Sequence, residues 1–133
     1  MKGIDKVYEF LKKCGTYYLA TAEGNQPRVR PFGTIDLFGG KLYIQTGKSK
    51  EVSRQMKQNP RIEICALSGE SWLRIAADAV EDDDREARVH MLDAYPSLKA
   101  LYAPDDGNTQ VFYLKNVEAT FSSFTAAPET YRF

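Results

Sequence analysis

The residues from which catalytic and metal centres are usually built are scarce in this sequence. It has one histidine, His90, and two cysteines, Cys14 and Cys65, among 133 residues. The cysteines fit no zinc spacing, and a single histidine leaves no credible triad, so no metal site and no protein-derived nucleophile is expected. Both thiols are expected to stay reduced. No GxGxxG or Walker-type loop occurs. No apolar run approaches the ~18 residues of a membrane span, and MKGIDKVYEF lacks the apolar stretch of a secretory signal. A cytoplasmic protein that does not engage a membrane is expected. An excess of one charge is missing too: 18 basic residues face 18 acidic ones, so no global field attracts nucleic acid. A nucleic-acid-binding barrel of the OB type would want a continuous basic stripe, which is absent. If the protein is an enzyme, an organic cofactor must supply the reactivity, and no catalytic side chain can be named.

What remains is a mainly β chain that fits one domain, residues 1–133, large enough to bury a core. Its 8 Tyr, 7 Phe and 1 Trp exceed what such a core needs, which leaves aromatic surface for a ligand or a second subunit. Ile4, Val7, Tyr8 and Leu11 form a helical stripe ended by Gly15. Thr16–Ala22 reads as a strand, followed by a turn at Glu23-Gly24-Asn25. A second strand, Pro27 to Asp36, places Arg28 and Arg30 on one side, with Pro31 marking an edge or a bulge. Gly39-Gly40 makes a hairpin into Leu42–Thr46.

The stretch KLYIQTGKSKEVSRQMKQNP, Lys41 to Pro60, organises the rest. A strand runs through Gly47-Lys48-Ser49-Lys50 into a short helix, with Ser49 as its expected N-cap and Val52 and Met56 as its apolar face. Helix-terminal amides beside Lys48, Lys50 and a hydroxyl suit a phosphate. A solvated, lysine-rich turn is the plainer alternative. If the preceding strand pairs with this one across Gly39-Gly40, Arg28 and Arg30 converge on the same place; otherwise they are exposed edge arginines.

Further on, Arg61–Leu67 and Trp72–Glu81 read as strands. The second buries Leu73, Ile75, Ala77 and Ala79 and turns Trp72 and Arg74 the other way. Asp82-Asp83-Asp84 is placed to cap a helix holding Ala87, Met91 and Leu92, where His90 reads as a partly buried structural residue. Leu98, Leu101 and Tyr102 suggest one more short turn, and Asp105–Asn108 a loop. Val111–Phe124 is a strand whose apolar parity slips at Lys115-Asn116, the mark of a bulge. Thr125–Phe133 reads as a polar tail. Six or seven antiparallel strands with flanking helices imply a small closed or nearly closed β-barrel.

In order and spacing, YLATAEGNQPRVRPFG, KLYIQTGKSKEV…NPRIEI and ESWLRIAADAV resemble the pyridoxamine 5'-phosphate oxidase-like FMN-binding split barrels, over nearly the whole chain. The Trp-Leu-Arg-Ile strand and the closing ATFSSFTAAPETYRF look most like NimC/NimA-type members, related to nitroimidazole-resistance proteins. The resemblance implies a split β-barrel that binds FMN between the subunits of a homodimer. It assigns Arg30, Pro31, Phe32 and Gly33 to the flavin edge and phosphate, and Gln45 and Thr46 to flavin contacts. It further assigns Lys48, Ser49 and Lys50 to the phosphate turn and Trp72 to a flavin contact on the following strand. Aromatics near the C-terminus would close the site from the partner chain. It implies an FMN-dependent oxidoreductase, of nitroreductase type, working on a small planar electron acceptor. A non-catalytic flavin-binding protein is the alternative, and a deazaflavin or haem could replace FMN. ETYRF has no counterpart of the Arg-, His- and Trp-bearing segment that holds substrate in true pyridoxamine phosphate oxidases. The active-site histidine of nitroimidazole-resistance members has no match on the flavin-side strands.

Overall fold

The computed structural model describes all residues from 1 to 133. Helix α1 (Gly3–Cys14) leads into the hairpin β1 (Tyr17–Glu23) and β2 (Gln26–Phe32), then β3 (Asp36–Phe38) and β4 (Lys41–Gly47). Helix α2 (Glu51–Gln58) precedes β5 (Arg61–Ser68) and β6 (Ser71–Asp82). Helix α3 (Arg85–Ala94), a 3-10 turn (Pro96–Ala100), β7 (Thr109–Ser123) and β8 (Glu129–Arg132) complete the chain. All strand pairs are antiparallel, in the order β2-β1-β5-β6-β7-β4-β3, with β8 also on β7. The end strands β2 and β3 are joined by residues 33–35 alone, which reach only ~10 Å. The two edges of the sheet must therefore come back together, giving a barrel split at that seam. No helix is long and apolar enough to cross a membrane.

The alternation read in the sequence sets the core. Leu73, Ile75, Ala77 and Ala79 all lie inside β6, none more than 4% exposed. Ile64, Leu19, Ile44 and Ala119 join them from other strands, and α1 and α2 add Val7, Leu11, Val52 and Met56. Gly15, at φ 75°, ends α1 and returns its N–H to the Leu11 carbonyl. Gly39 and Gly40, both at positive φ, form the two-residue turn between Phe38 and Lys41. The parity slip is a true bulge: Asn116 and Val117 together oppose Ala77, and Asn116 takes φ 53°. That extra residue lets Val117 and Ala119 continue the apolar face that Phe112 and Leu114 begin.

Three expectations need correction. The long second strand breaks at Gly33-Thr34-Ile35 into β2 and β3, because the chain crosses the seam there. Consequently β3, not β2, is the hairpin partner of β4. The polar tail contains a strand: β8 pairs with the outer half of β7, and Tyr131 packs on Phe121 at 5.9 Å. The total is thus eight strands. A four-residue polar strand carries no alternation to detect; only the spare edge of the long β7 creates it.

Candidate functional site

A cavity of about 300 Å³ opens at the seam. Its walls include Arg30, Pro31, Phe32, Gly33, Gln45, Thr46 and Lys50, seven of the ten residues singled out from the sequence. Thr34, Val52, Leu98, Leu101 and Tyr102 line it as well. Thr34 and Val52 adjoin residues already singled out, but the sequence does not reveal Leu98, Leu101 and Tyr102 as neighbours, since that segment reaches the cavity only through the packing of α3 against β3 and β7. Tyr102 and Leu101, apolar groups left partly exposed in a turn, are the one hint.

The backbone at the seam is held from beneath. The Tyr17 hydroxyl, fully buried, donates to the Thr34 carbonyl at 2.6 Å. The Tyr95 hydroxyl accepts from the Ile35 N–H and donates to the Ile35 carbonyl, both at 3.0 Å. The Thr34 hydroxyl accepts from the Gln45 N–H at 3.1 Å and so ties the seam to β4. These bonds hold residues 33–35 against the barrel and present Phe32–Thr34 to the cavity.

Arg30 sits on the edge strand, as Pro31 beside it foretold, opposite the core residue Leu19. Its guanidinium therefore turns inward and is partly buried. It donates to the Leu19 carbonyl (3.2 Å), the Thr21 hydroxyl (2.8 Å) and the Gln55 side-chain carbonyl (2.6 Å). The Thr21 hydroxyl in turn donates to Gln55. Every one of these acceptors is neutral, and no carboxylate lies within ion-pair distance of Arg30. Burial, and secondarily the charge of Arg28, pushes its pKa below the ordinary arginine value, yet it stays cationic. Arg28 does not converge with it. That side chain is spent on Glu23 at 3.1 Å, a carboxylate shared with Arg54 at 2.6 Å.

Helix α2 begins one residue later than expected. Lys50, not Ser49, is its N-cap, and no side chain caps it. The leading amides of a helix lack intrahelical acceptors, so this end is a positive terminus flanked by Arg30 and Lys50. Lys48 and Ser49 lie on the exposed turn just before it rather than in the cavity wall. Neither Lys48 nor Lys50 has an ion-pair partner. Glu51, the one acid of the first turn, points to solvent.

Trp72 lies elsewhere, on the outer face of β6, against Phe124 at 5.2 Å. His90 sits in α3 with Ala87 and Met91, as read, but its side chain is about half exposed (47%). Its Nδ1 meets the buried carboxylate of Asp36 at 2.6 Å, with Phe38 against the ring. This histidine serves Asp36 and does not face the cavity. The cavity walls contain no His, Cys, Asp or Glu. The side chains can bind an anion and orient a ligand, but offer no carboxylate or imidazole for proton transfer.

Residues 4–123 match the family model described as pyridoxamine 5'-phosphate oxidase. The chain therefore belongs to the pyridoxamine 5'-phosphate oxidase-like family. Among solved structures, it is similar to a NimC/NimA family protein from Clostridium acetobutylicum. The two are 43% identical, the match covers 100% of this chain and 95% of the other, and the TM-score is 0.95. General stress protein 26 from Bacillus anthracis is 18% identical, with 97% of each chain covered and a TM-score of 0.75. A haem-binding protein from Mycobacterium smegmatis is 20% identical, with 94% of this chain and 57% of that one covered and a TM-score of 0.72. The last two show the shared fold alone. No curated protein matches the chain.

Proposed function

We propose that the seam cavity binds FMN and that the protein is an FMN-dependent oxidoreductase acting on a small planar acceptor, nitroaromatic compounds being the first class to try. One observation carries this reading. Arg30 is partly withdrawn from water with no carboxylate in ion-pair contact, the exposed Glu51 acting on it only through space, beside an uncapped helix terminus and the unpaired Lys50. A cation placed so is costly unless a ligand anion completes it, and a phosphate does so with charge-assisted hydrogen bonds. The rest of the cavity suits the remainder of such a ligand. Thr34, Gln45 and Thr46 offer polar contacts, while Phe32, Val52, Leu98, Leu101 and Tyr102 offer an apolar wall.

When bound, FMN supplies the electron-transfer chemistry that no side chain here provides. The protein's own part is narrower. Arg30 and Lys50 fix the phosphate end, with Lys48, Ser49 and the amides of α2 alongside. The fixed backbone of residues 32–34 and the side chains of Gln45 and Thr46 orient the ring system. Leu98, Leu101 and Tyr102 keep water from one side.

The working unit is proposed to be a homodimer. A volume near 300 Å³ is at the small end for a cofactor site, so a second copy has room to complete it. The outer face of β2, β1, β5 and β6 exposes Val29, Tyr18 and Leu67, with Phe124 beside Trp72, and meets the cavity at Pro31. Trp72 could then contact flavin only from the partner.

The test is direct. Protein purified from a flavin-replete host should be yellow, release FMN and elute as a dimer; colourless protein without saturable FMN binding would end the reading. A deazaflavin or haem would declare itself in the same visible spectrum. Turnover of NAD(P)H with a nitroaromatic acceptor separates the oxidoreductase from a flavin protein that stores or relays electrons without a substrate.

A further inference from the structure

Asn108 lies outside the cavity, in the loop before β7, yet it makes three contacts with the turn that precedes α2. Its carbonyl accepts from the Lys48 N–H at 2.7 Å. Its side-chain Oδ1 accepts from the Ser49 N–H at 3.0 Å. Its Nδ2 lies so near Gly47 that a Cβ there would sit 2.9 Å away. Gly47 itself has no positive φ; the glycine is explained by this close approach rather than by its backbone. Asn108 is held firmly in turn. The Asp106 carboxylate accepts from the N–H groups of Ala103 (3.0 Å), Asn108 (2.8 Å) and Thr109 (2.7 Å), and from the Thr109 hydroxyl (2.9 Å).

We propose that Asn108 is a positioning residue for phosphate: acting through the main chain of Gly47–Ser49, it sets the pose in which Lys48, Ser49, Lys50 and the α2 terminus meet the anion. Without the clamp, an exposed turn of Lys-Ser-Lys has many conformations, and each cofactor bound must select one. The same loop carries Tyr102, whose ring edge lies 3.3 Å from the Gly47 Cβ position, so clamp and apolar wall move together. This inference rests on the assignment of the seam to FMN, and the experiment separates the two.

Wild type, Asn108→Ala, Gly47→Ala and Arg85→Ala are titrated with FMN and with riboflavin, which shares the ring but has no phosphate. Two charge-assisted contacts to the phosphate should make wild type bind FMN at least ~30-fold tighter than riboflavin. Asn108→Ala should weaken FMN about tenfold, the worth of one ordered hydrogen bond, and change riboflavin less than twofold. Arg85→Ala breaks the exposed pair with Asp105 on the same loop and should leave both affinities unchanged. Gly47→Ala should reproduce the Asn108→Ala loss by pushing the amide away, and in the Asn108→Ala background, where Nδ2 is gone, add no more than the twofold that a small shift of the Tyr102 ring edge allows. This second variant also decides the matter if Asn108→Ala fails to fold. Equal losses for both flavins, or none for either, would reduce Asn108 to a structural residue. A wild type that does not distinguish the two flavins would instead remove the phosphate assignment, and the role of Asn108 with it.

Discussion

Helices α2 and α3 each follow a strand and begin at an exposed turn, but their first turns are finished in opposite ways. At α3 the N-cap is Asp84, whose carboxylate accepts from the Glu86 N–H at 2.9 Å, with Asp82, Asp83 and Glu86 adjoining. The positive end of that helix is satisfied by its own chain. At α2 the N-cap is Lys50, no side chain bonds the free amides, and the three hydrogen bonds Arg30 makes there all go to neutral groups, leaving further guanidinium donors free. Lysine stands at the N-cap of α1 as well, but there the Asp5 carboxylate turns back to accept from the Lys2 N–H at 3.2 Å; at α2 no carboxylate bonds the cap or the free amides, which leaves that terminus for an anion the chain does not itself carry.

The severest way to break this contrast is to give α2 a cap of its own. Lys50→Asp supplies the missing carboxylate in a backbone geometry, φ −84° and ψ 149°, already suited to an N-cap. It should raise unfolding stability by about 1 kcal/mol while lowering FMN affinity more than ~100-fold, since the phosphate now meets an anion instead of a cation. Denaturant melts and flavin titrations on one preparation check both halves, and a loss of stability would mean the terminus is not open as described. Arg30→Ala comes next. Thr21 and Gln55 keep their bond to each other, so the barrel should survive, but the best-anchored cation is gone and FMN should bind about 3 kcal/mol more weakly. Lys50→Ala removes one flexible cation and should cost ~1.5–3 kcal/mol of FMN binding. Lys57→Ala, at the far end of the same helix and paired with Glu81 at 3.7 Å, should do almost nothing. Equal effects from the two lysines would move the phosphate away from the terminus.

How far the sequence alone could have drawn this contrast differs between the two helices. Asp82-Asp83-Asp84 before Ala87 and Met91 announces a capped helix, because capping is local and its residue types are specific. The lysines of the other turn are readable as residue types, but residue type alone puts the helix start one position early, since Ser49 is as good a cap by type as any. Asn108, 59 residues beyond Ser49, instead accepts from the Lys48 and Ser49 N–H groups and holds both residues in a turn ahead of the helix. The seam was hidden for a similar reason. Gly33-Thr34-Ile35 reads as part of a strand, and only the closure of the barrel turns it into a crossing held by Tyr17 and Tyr95. Arg28 and Arg30 look equivalent by period two. Glu23, across the hairpin and shared with Arg54, claims one and leaves the other. What the linear pattern conveyed was periodicity and local chemistry; what it withheld was which charges find partners.

The mildest test probes the self-satisfied helix. Asp84→Ala deletes the acceptor of the Glu86 N–H and weakens the field of carboxylates at the start of α3, and should cost about 1 kcal/mol. For a domain of this size that lowers Tm by about 3–5 °C. Because α3 packs on the barrel through Met91 and Ala87 against Tyr43 and Val111, the loss should register as cooperative destabilisation, not local fraying. FMN affinity should be unchanged within twofold, since Asp84 takes no part in the cavity wall. If removing the cap left Tm where it was, aspartate at α3 would be incidental. The uncapped terminus of α2 would then say nothing about phosphate, and the affinity data on Arg30 and Lys50 would have to stand by themselves.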